Sequence, residues 1–452
     1  MPYLFCVGRG RGVMDHLRRQ TKPPPKRRSN RPCLWVHGVS VGEILSARRF
    51  LKQFNKTYSD WEIVLSTTTR SGLEAGERHY PDCSIFSYPF DLSFLVRRAF
   101  ESIRPDLVII VEHELWPNFL GHAAARNVPV VIVNGRLSGR SLGGYRWLSR
   151  LLRWPPRSVV QFCVEDERSA EGFRELGVPS DRICVTGNFK FDNMVTPSSC
   201  CRQDFGFSSK EWVIVATSTH PGEEEQLVQA YMKLRAEDPN TRIIIAPRRV
   251  ERSAEIGRIV EKRGLRPMLW SHLETRQQAV ASTAMNVANN GNGTHPFAAV
   301  ADNNGNGTDY GAGYVTRTRG IQTDQVLIVD TVGELQHVVP SADVVFVGGS
   351  LIPFGGHNVI EPASLGQPVI IGPHYDSFRQ VMSAFLAQDA VVVVNDARDL
   401  YNKLRRLKSH PEESQRLGER AATTVARNTG ASERTFEAIQ PIVAGLNRQN
   451  GH

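Results

Sequence analysis

The sequence predicts an α/β protein with two doubly wound, Rossmann-like domains. The chain has 452 residues, and because single hydrophobic cores stop growing at about 250–300 residues, this length favours more than one domain. Short runs rich in Val and Ile alternate with longer segments of helical pattern, and a Ser-, Pro- and Cys-rich break interrupts the alternation at residues 196–201. The runs are apolar throughout rather than at every second position, which is typical of parallel strands covered by helices on both faces.

Six strands are predicted before this break and six after it. The predicted strands are residues 33–37, 62–66, 107–111, 128–133, 159–164 and 182–186, then 212–216, 242–246, 326–329, 343–348, 368–371 and 390–394. We therefore expect domains at 33–195 and 209–425, a linker at 196–208, and a C-terminal helix and tail at 426–452. Residues 271–320 are polar and contain Asn-Asn-Gly-Asn-Gly-Thr twice, so we expect a disordered insert in the second domain.

The positive charge is concentrated at the N-terminus. The chain has a net charge of +9, and residues 1–32 hold nine Lys/Arg and one acid, which leaves +1 for the rest. This segment contains three consecutive prolines and is predicted to be a flexible basic arm. A nearly neutral body argues against nucleic-acid binding, whereas a basic arm suits an anionic membrane surface. We expect peripheral binding, because no apolar run is long enough to span a bilayer.

Seven cysteines are present without CxxC spacing, and several lie in apolar runs. This pattern favours buried, reduced thiols and a reducing compartment.

The first candidate motif is Ser40-Val41-Gly42-Glu43, directly after the first predicted strand. Ser40 and Glu43 have the spacing of a helix capping box. Glu43 also follows a parallel strand at the edge where open α/β sheets bind ligands, so its carboxylate is a candidate general base. The spacing alone favours neither interpretation over the other.

A second polar group, Glu112-His113-Glu114, follows the strand at 107–111. Carboxylates beside an apolar run are costly to bury unpaired, which favours a polar cleft, although they could also be solvated residues of a first helical turn. His113-Glu114 lacks the HExxH spacing of a zinc protease, and no convincing DxD triplet is present. We therefore expect no metal and no other cofactor.

A glycine-rich group follows the strand at 343–348. It comprises Gly348-Gly349-Ser350 and then Gly355-Gly356-His357-Asn358, with Glu361 three residues further on. Paired glycines allow backbone N–H groups to approach a phosphate, and Glu361 could reach ribose hydroxyls. The spacing matches neither a P-loop nor a dinucleotide fingerprint, which argues against an ATPase and a dehydrogenase.

Weaker signals lie at other strand ends. Ser218 and His220 follow the strand at 212–216, and Pro247-Arg248 follows 242–246. Arg248 could bind a phosphate or carboxylate. The interpretation that it is an ordinary exposed arginine at a helix start is nearly as good. Lys190, in Gly187-Asn188-Phe189-Lys190, could reach an anionic group, or could be an ordinary surface lysine.

Taken together, these motifs resemble the lipid A Kdo transferases, which move 3-deoxy-manno-octulosonic acid (Kdo) from CMP-Kdo to the lipid A precursor. The resemblance runs from about Leu34 to Asn395, with the insert between. Its blocks are His37 to Glu43, Glu114 to Asn118, Asn134 to Ser138, Thr186 to Asp192, Ser218 to Glu224, and Gly348 to Pro362. It implies a GT-B fold, in which two Rossmann-like domains face a central cleft, and a place on the cytoplasmic face of the bacterial inner membrane.

The resemblance also assigns roles to residues. It implies Glu43 as the catalytic base, Glu114 as a second active-site carboxylate, and His220, Arg248, Asn358 and Glu361 around the CMP group. With Lys190 as a third catalytic candidate, we expect further substrate contacts from Ser40, Gly42, Arg136, Ser218, Pro247, Gly333, Gly349, Ser350, Gly355, Gly356 and His357. The sequence departs from the family in reading Pro247-Arg248-Arg249 where Pro-Arg-His is typical and in carrying the insert. Where the family usually carries an N-terminal anchor helix, we expect only the basic arm.

The expected reaction is direct displacement with inversion at the anomeric carbon. A single carboxylate acting as base on the acceptor hydroxyl requires no covalent intermediate. Two alternatives remain open: a nucleotide-sugar 2-epimerase on the same scaffold, and a non-catalytic basic scaffold that binds RNA. The first would convert a UDP-sugar without an acceptor, and the second would bind RNA with steep salt dependence.

Overall fold

The computed structural model describes residues 24–112, 115–137, 157–192, 202–273 and 324–449. The chain divides into two compact units. Unit 1 comprises Met1–Asn193 and Asn428–His452, and unit 2 comprises Met194–Arg427. Of the predicted segments, most of the insert at 271–320 and the first part of the linker at 196–208 lie outside the described residues.

Unit 1 contains a sheet of seven described strands in the order β3-β2-β1-β4-β5-β6-β7. Every described pairing in it is parallel. The strands are β1 (Cys33–His37), β2 (Glu62–Thr67), β3 (Ser84–Ser87), β4 (Leu107–Val111), β5 (Val130–Gly135), β6 (Val159–Val164) and β7 (Ile183–Val185). The described helices from the N-terminal part of this unit are α1 (Val41–Ser46), α2 (Arg48–Thr57), α3 (Arg70–His79), α4 (Ser93–Ile103), α5 (Pro117–Ala125) and α6 (Glu167–Glu175).

Unit 2 repeats this architecture, with seven described strands in the order β10-β11-β9-β8-β12-β13-β14, again paired in parallel. The strands are β8 (Trp212–Thr219), β9 (Thr241–Pro247), β10 (Arg266–Leu269), β11 (Gln325–Ile328), β12 (Val344–Val347), β13 (Val369–Ile371) and β14 (Val392–Val393). The described helices are α7 (Glu224–Glu237), α8 (Ser253–Glu261), α9 (Leu335–Val338), α10 (Ile360–Ser364), α11 (Arg379–Leu386), α12 (Ala397–Ser409) and α13 (Pro411–Asn428).

The sheet of unit 1 has a hydrophobic core on each face. Alternate residues of a strand point to opposite faces, so Trp35 packs with the residues of α4 and α5, whereas Leu34 and Val36 pack on the other side. The second core includes Phe436 and Ile439 of the last helix, α14 (Ala431–Gln449). The C-terminal helix predicted within 426–452 therefore completes the core of unit 1.

Part of the predicted flexible arm is instead held against unit 1. The Arg27 side chain is only 13% exposed, forms an ion pair of 3.0 Å with Asp106, and donates a hydrogen bond to the Arg104 carbonyl. Arg31 donates to the Asp60 carbonyl at 2.7 Å. These guanidinium groups satisfy acceptors of the folded unit, which is why residues 24–31 are not a free arm; residues 1–23 lie outside the described ranges.

The end of the predicted linker also packs into its neighbouring unit. Phe205 and Phe207 are buried, and Arg202 forms an ion pair of 2.7 Å with Asp343. Residues 202–208 are therefore part of unit 2 rather than linker. The prediction missed the two apolar side chains because a short segment beside a Ser/Pro-rich break shows no periodicity.

Four described cysteines, Cys33, Cys83, Cys163 and Cys184, are free thiols. Burial raises the pKa of Cys33 to about 12, which makes this thiol unreactive. Within the ranges that the structure describes, no helix combines the length and the apolar composition needed to cross a membrane.

Candidate active site

The carboxylate of Glu43 is held over the turn that follows β1. One of its oxygens accepts a hydrogen bond from the Val39 N–H at 2.6 Å, and the other accepts from the Ser40 hydroxyl at 2.9 Å. The Ser40 oxygen in turn accepts from the Glu43 N–H at 3.3 Å. The capping interaction therefore exists, and it fixes the carboxylate at the carboxyl edge of the sheet, where a base for a bound hydroxyl would have to lie.

Neighbouring residues hold this turn in place. The hydroxyls of Thr67, the last residue of β2, and of Thr68 both donate to the Val39 carbonyl, at 2.8 and 3.1 Å. A Cβ on Gly38 would lie 3.2 Å from the Glu43 Cβ, so the turn is tightly packed there. Gly42 is exposed on the first turn of α1.

A second charged group lies at the ends of β4 and β5. Arg136 and Glu112 are 3.9 Å apart, and both side chains are partly exposed. Glu112 has a φ of 68°, a left-handed conformation that is costly for a residue other than glycine. Glu114, the predicted second carboxylate, lies outside the described residues.

Lys190 lies in the 3₁₀ turn Phe189–Asp192. Beside this turn lie two buried residues, Asn134 and Glu165, for which the sequence predicted no role. Asn134 is fully buried and donates to the Glu165 carboxylate at 2.8 Å. Burial, and then the negative charge of Glu112, raise the pKa of Glu165 to about 8. Glu165 could have been identified from the sequence, because it is an acidic residue directly after the apolar run of β6. The same pattern identified Glu112 as a candidate.

In unit 2, a buried carboxylate organises the glycine-rich loop. Glu223 is fully buried and accepts hydrogen bonds from the N–H groups of His220, Gly349, Ser350 and Leu351, at 3.0, 2.7, 2.9 and 2.9 Å. Four charge-assisted hydrogen bonds compensate for the burial of this charge. The turn after β8 and the loop after β12 are therefore joined at one point.

Two histidines meet above this point. The Nε2 atoms of His220 and His357 are 2.8 Å apart, and the rings stack with Phe354 alongside. Burial, followed by the charges of His220 and Arg248, lowers the pKa of His357 to about 4. Burial also lowers the pKa of His220. One Nε2 must donate and the other accept, so the accepting ring is neutral. The lowered pKa of each histidine favours the neutral form of the other ring as well.

The glycines are required by the close approach of the backbone. A Cβ on Gly348 would lie 2.5 Å from the Ser218 carbonyl oxygen, and Gly349 has a φ of 68°. The Gly356 N–H donates to the Gly349 carbonyl at 2.8 Å. Ser350 is fully buried; its hydroxyl donates to the Val347 carbonyl at the end of β12 and accepts from the Gly372 N–H after β13 at 2.8 Å. Gly355 accepts from the Ser377 N–H at 2.9 Å, so both ends of the loop are fixed.

The remaining predicted residues lie around this loop or apart from it. Arg248 is exposed beyond β9 and Pro247, and its N–H donates to the Thr219 carbonyl at 3.0 Å. The Asn358 side chain accepts from the Ile360 N–H at 3.1 Å. Burial raises the pKa of Glu361. Gly333 is exposed, with a φ of 100° and open space around its Cα.

The structure thus brings the predicted residues together in two groups, one in each unit. Among the described residues, no group of three or more His, Cys, Asp or Glu side chains could hold a metal ion.

Comparisons with known proteins point to the same family that the motifs resemble. Residues 15–193 match the family model described as 3-deoxy-D-manno-octulosonic-acid transferase (kdotransferase). The transferase of that name from Haemophilus influenzae is 27% identical over 429 residues, which cover 93% of this chain and 88% of the relative. The transferase from Chlamydophila psittaci is 28% identical over 419 residues, which cover 91% and 86%.

A solved structure confirms the predicted GT-B class of fold. The UDP-GlcNAc 2-epimerase from Neisseria meningitidis, bound to UDP-GlcNAc, aligns with a TM-score of 0.51 at 13% identity, over 90% of this chain and 99% of that chain. A likeness at this identity concerns the fold alone, so it does not favour an isomerase.

The histidine pair predicts how the stability of unit 2 depends on pH. His357 is neutral when folded, whereas the unfolded chain takes up a proton below about pH 6.5, so stability is fully present above that pH and falls toward pH 4. We expect the loss to be about 1–2 kcal/mol, because the ring is only partly buried. Chemical denaturation of the wild type and His357→Gln between pH 4 and 7.5 measures this.

In His357→Gln the decline in that window should be smaller. The exposed His410, at the end of α12, provides the matched control: His410→Gln should keep the wild-type slope. If the free energy of unfolding declined equally with falling pH in all three proteins, the interpretation of the histidines as a neutral pair would be contradicted.

Proposed function

We propose that this chain, a glycosyltransferase related to the Kdo transferases along about nine tenths of its length, transfers Kdo from CMP-Kdo to a lipid A precursor with inversion. The observation that carries the proposal is the position of the motif residues. In both units they lie in turns at the carboxyl ends of parallel strands, the edge at which open α/β sheets bind their ligands.

The proposed base is Glu43. Its carboxylate is oriented by the Val39 N–H and the Ser40 hydroxyl, both in the turn after β1. A carboxylate positioned in this way can take the proton of the acceptor hydroxyl as that oxygen attacks the anomeric carbon of Kdo. The bond to the CMP phosphate breaks as the new glycosidic bond forms, so the configuration is inverted.

The departing phosphate needs positive charge and hydrogen-bond donors. In unit 2, Arg248 is exposed, and its guanidinium is a suitable phosphate partner. Its backbone N–H donates to the carbonyl of Thr219, the residue before His220. Lys190 offers a second cation, in unit 1. We propose that Arg248 stabilises the leaving phosphate and that Lys190 binds an anionic group of a substrate at unit 1, so that no metal takes part.

Incubation of the purified protein with CMP-Kdo and a tetraacyl lipid A precursor tests the proposal. We expect CMP release and a product heavier by one or more Kdo units, as measured by mass spectrometry, with unchanged turnover in EDTA. Conversion of a UDP-sugar without any acceptor, and no mass increase of the lipid, would contradict the transferase and support the isomerase.

The substitution Glu43→Gln separates the structural role of this side chain in the turn after β1 from its proposed role as a base. Glutamine keeps an oxygen that can accept from the Val39 N–H but cannot take a proton, so we expect kcat to fall by about 10²- to 10⁴-fold with little change in stability. The control is Glu74→Gln on the exposed face of α3, where Glu74 pairs only with Arg70 among its described ion pairs. Near-normal turnover of Glu43→Gln would refute the base.

We also propose that residues 1–23 bind the anionic face of the inner membrane. They hold five Lys/Arg and one acid, and are separate from Arg27 and Arg31, which the folded unit engages. At about 1 kcal/mol for each cation at the surface, their deletion should weaken binding to anionic vesicles by at least ten-fold at low salt. A sedimentation assay measures this, with Arg70→Gln as a control that removes one exposed charge. Undiminished binding of the shortened chain would refute the proposal.

A further inference from the structure

Glu165 is a buried acid at the end of β6 whose hydrogen bonding is incomplete. Its side chain is 9% exposed. Oε1 accepts from the Asn134 side chain at 2.8 Å, whereas Oε2 is buried and has no hydrogen-bond partner among the described residues. A charged carboxylate in such a position is costly, and a buried residue of this kind needs an explanation.

Asn134 connects Glu165 to the turn that carries Lys190. Its Oδ1 accepts from the Phe189 N–H at 2.8 Å, which fixes the orientation of the amide because an N–H can only donate. The amide nitrogen must therefore face Glu165. Asn134 is fully buried and has a φ of 54°, so its backbone holds a costly conformation that places the side chain between the two partners.

The other end of the turn is fixed as well. The Asp192 carboxylate accepts from the N–H groups of Gly430, Ala431 and Ser432, at 2.7, 3.3 and 2.5 Å, at the start of α14. The Lys190 N–H donates to the Asn188 side chain at 2.9 Å. Lys190 therefore lies between an anchor formed by Asp192 and an anchor formed by Asn134 with Glu165.

We propose that Glu165 is a positioning residue, which acts through Asn134 to set the place of the Lys190 turn for the transfer reaction. The proposal rests on the function proposed above. Glu165 itself does not need to touch either substrate.

The charges around Glu165 determine how this anchor responds to pH. Glu112 after β4 and Asp166 on its own segment disfavour its ionisation, whereas Arg136 after β5 and Lys190 favour it. Burial is the largest effect, and it raises the pKa of Glu165 to about 8 despite the two cations. Below that pH Glu165 is neutral, and above it a buried negative charge attracts Lys190 and Arg136 away from an anionic substrate.

The test is a pH profile of kcat and KM between pH 6 and 9.5 for wild type, Glu165→Gln and Glu165→Ala. Wild-type kcat should fall about two-fold near pH 8 and about ten-fold by pH 9. Glutamine imitates the neutral acid and still accepts from Asn134, so Glu165→Gln should lack this alkaline fall. It should also retain at pH 7 most of the kcat that Glu165→Ala loses, which we expect to be at least ten-fold.

Two comparisons separate the possible outcomes. Glu167→Gln, in the exposed first turn of α6, removes a nearby charge outside the chain of hydrogen bonds and should keep the wild-type profile. Hydrogen exchange at Phe189–Asp192 should be faster in Glu165→Ala but not in Glu167→Gln.

An alkaline fall in Glu165→Gln equal to that of the wild type, or unchanged exchange in Glu165→Ala, would overturn the proposal. If wild type transfers no Kdo, the proposed function fails, and the exchange comparison still decides whether Glu165 holds the turn.

Discussion

Parallel pairing of the strands is the constraint on which the rest of this structure depends. Every described strand pair in both sheets is parallel, so all strands of a sheet end at one edge. Strands such as β1 and β4 are buried along their whole length and are largely apolar, with His37 at the end of β1 as an exception. Most candidate site residues therefore lie in the turns beyond the strands, where neighbouring turns bring them together. This explains why Glu43 and Lys190 in unit 1, and His220 and Arg248 in unit 2, all follow apolar runs.

Buried acids at that edge are stabilised in two different ways. Glu223 accepts hydrogen bonds from four N–H groups, which compensate for its burial and join two segments that carry candidate ligand-binding residues. Glu165 is buried beside the negative charge of Glu112, and among the described residues only Asn134 donates to it, so the neutral form is favoured. With a pKa raised to about 8, Glu165 changes its charge within a range of pH that enzymes experience.

Most of the fold could be predicted from the sequence, but the contacts within the site could not. The bounds of β1, β4 and β6 were predicted correctly because continuous apolarity marks strands buried on both faces. The strands β3 and β10 were missed because they lie at sheet edges, are largely half-exposed, and carry serines in one case and Arg266-Pro267 in the other. Glu43 was found because a capping pair is local in sequence. The roles of Glu165 and Glu223 depend on partners 31 and 126 residues away, which no local pattern reveals.

The last helix links the stability of unit 1 to the geometry of its candidate site. The chain leaves this unit after Asn193 and returns at Asn428, and α14 then covers the face of the sheet formed by Leu34 and Val36. This core cannot be completed until the end of the chain is available, which requires closing a loop of more than 200 residues; the entropic cost of closure grows only logarithmically with length. Asp192, in the same turn as Lys190, accepts the hydrogen bonds from the start of this helix. The contact that completes the core therefore also holds the turn, so a change that loosens α14 should disturb Lys190 before it unfolds the sheet.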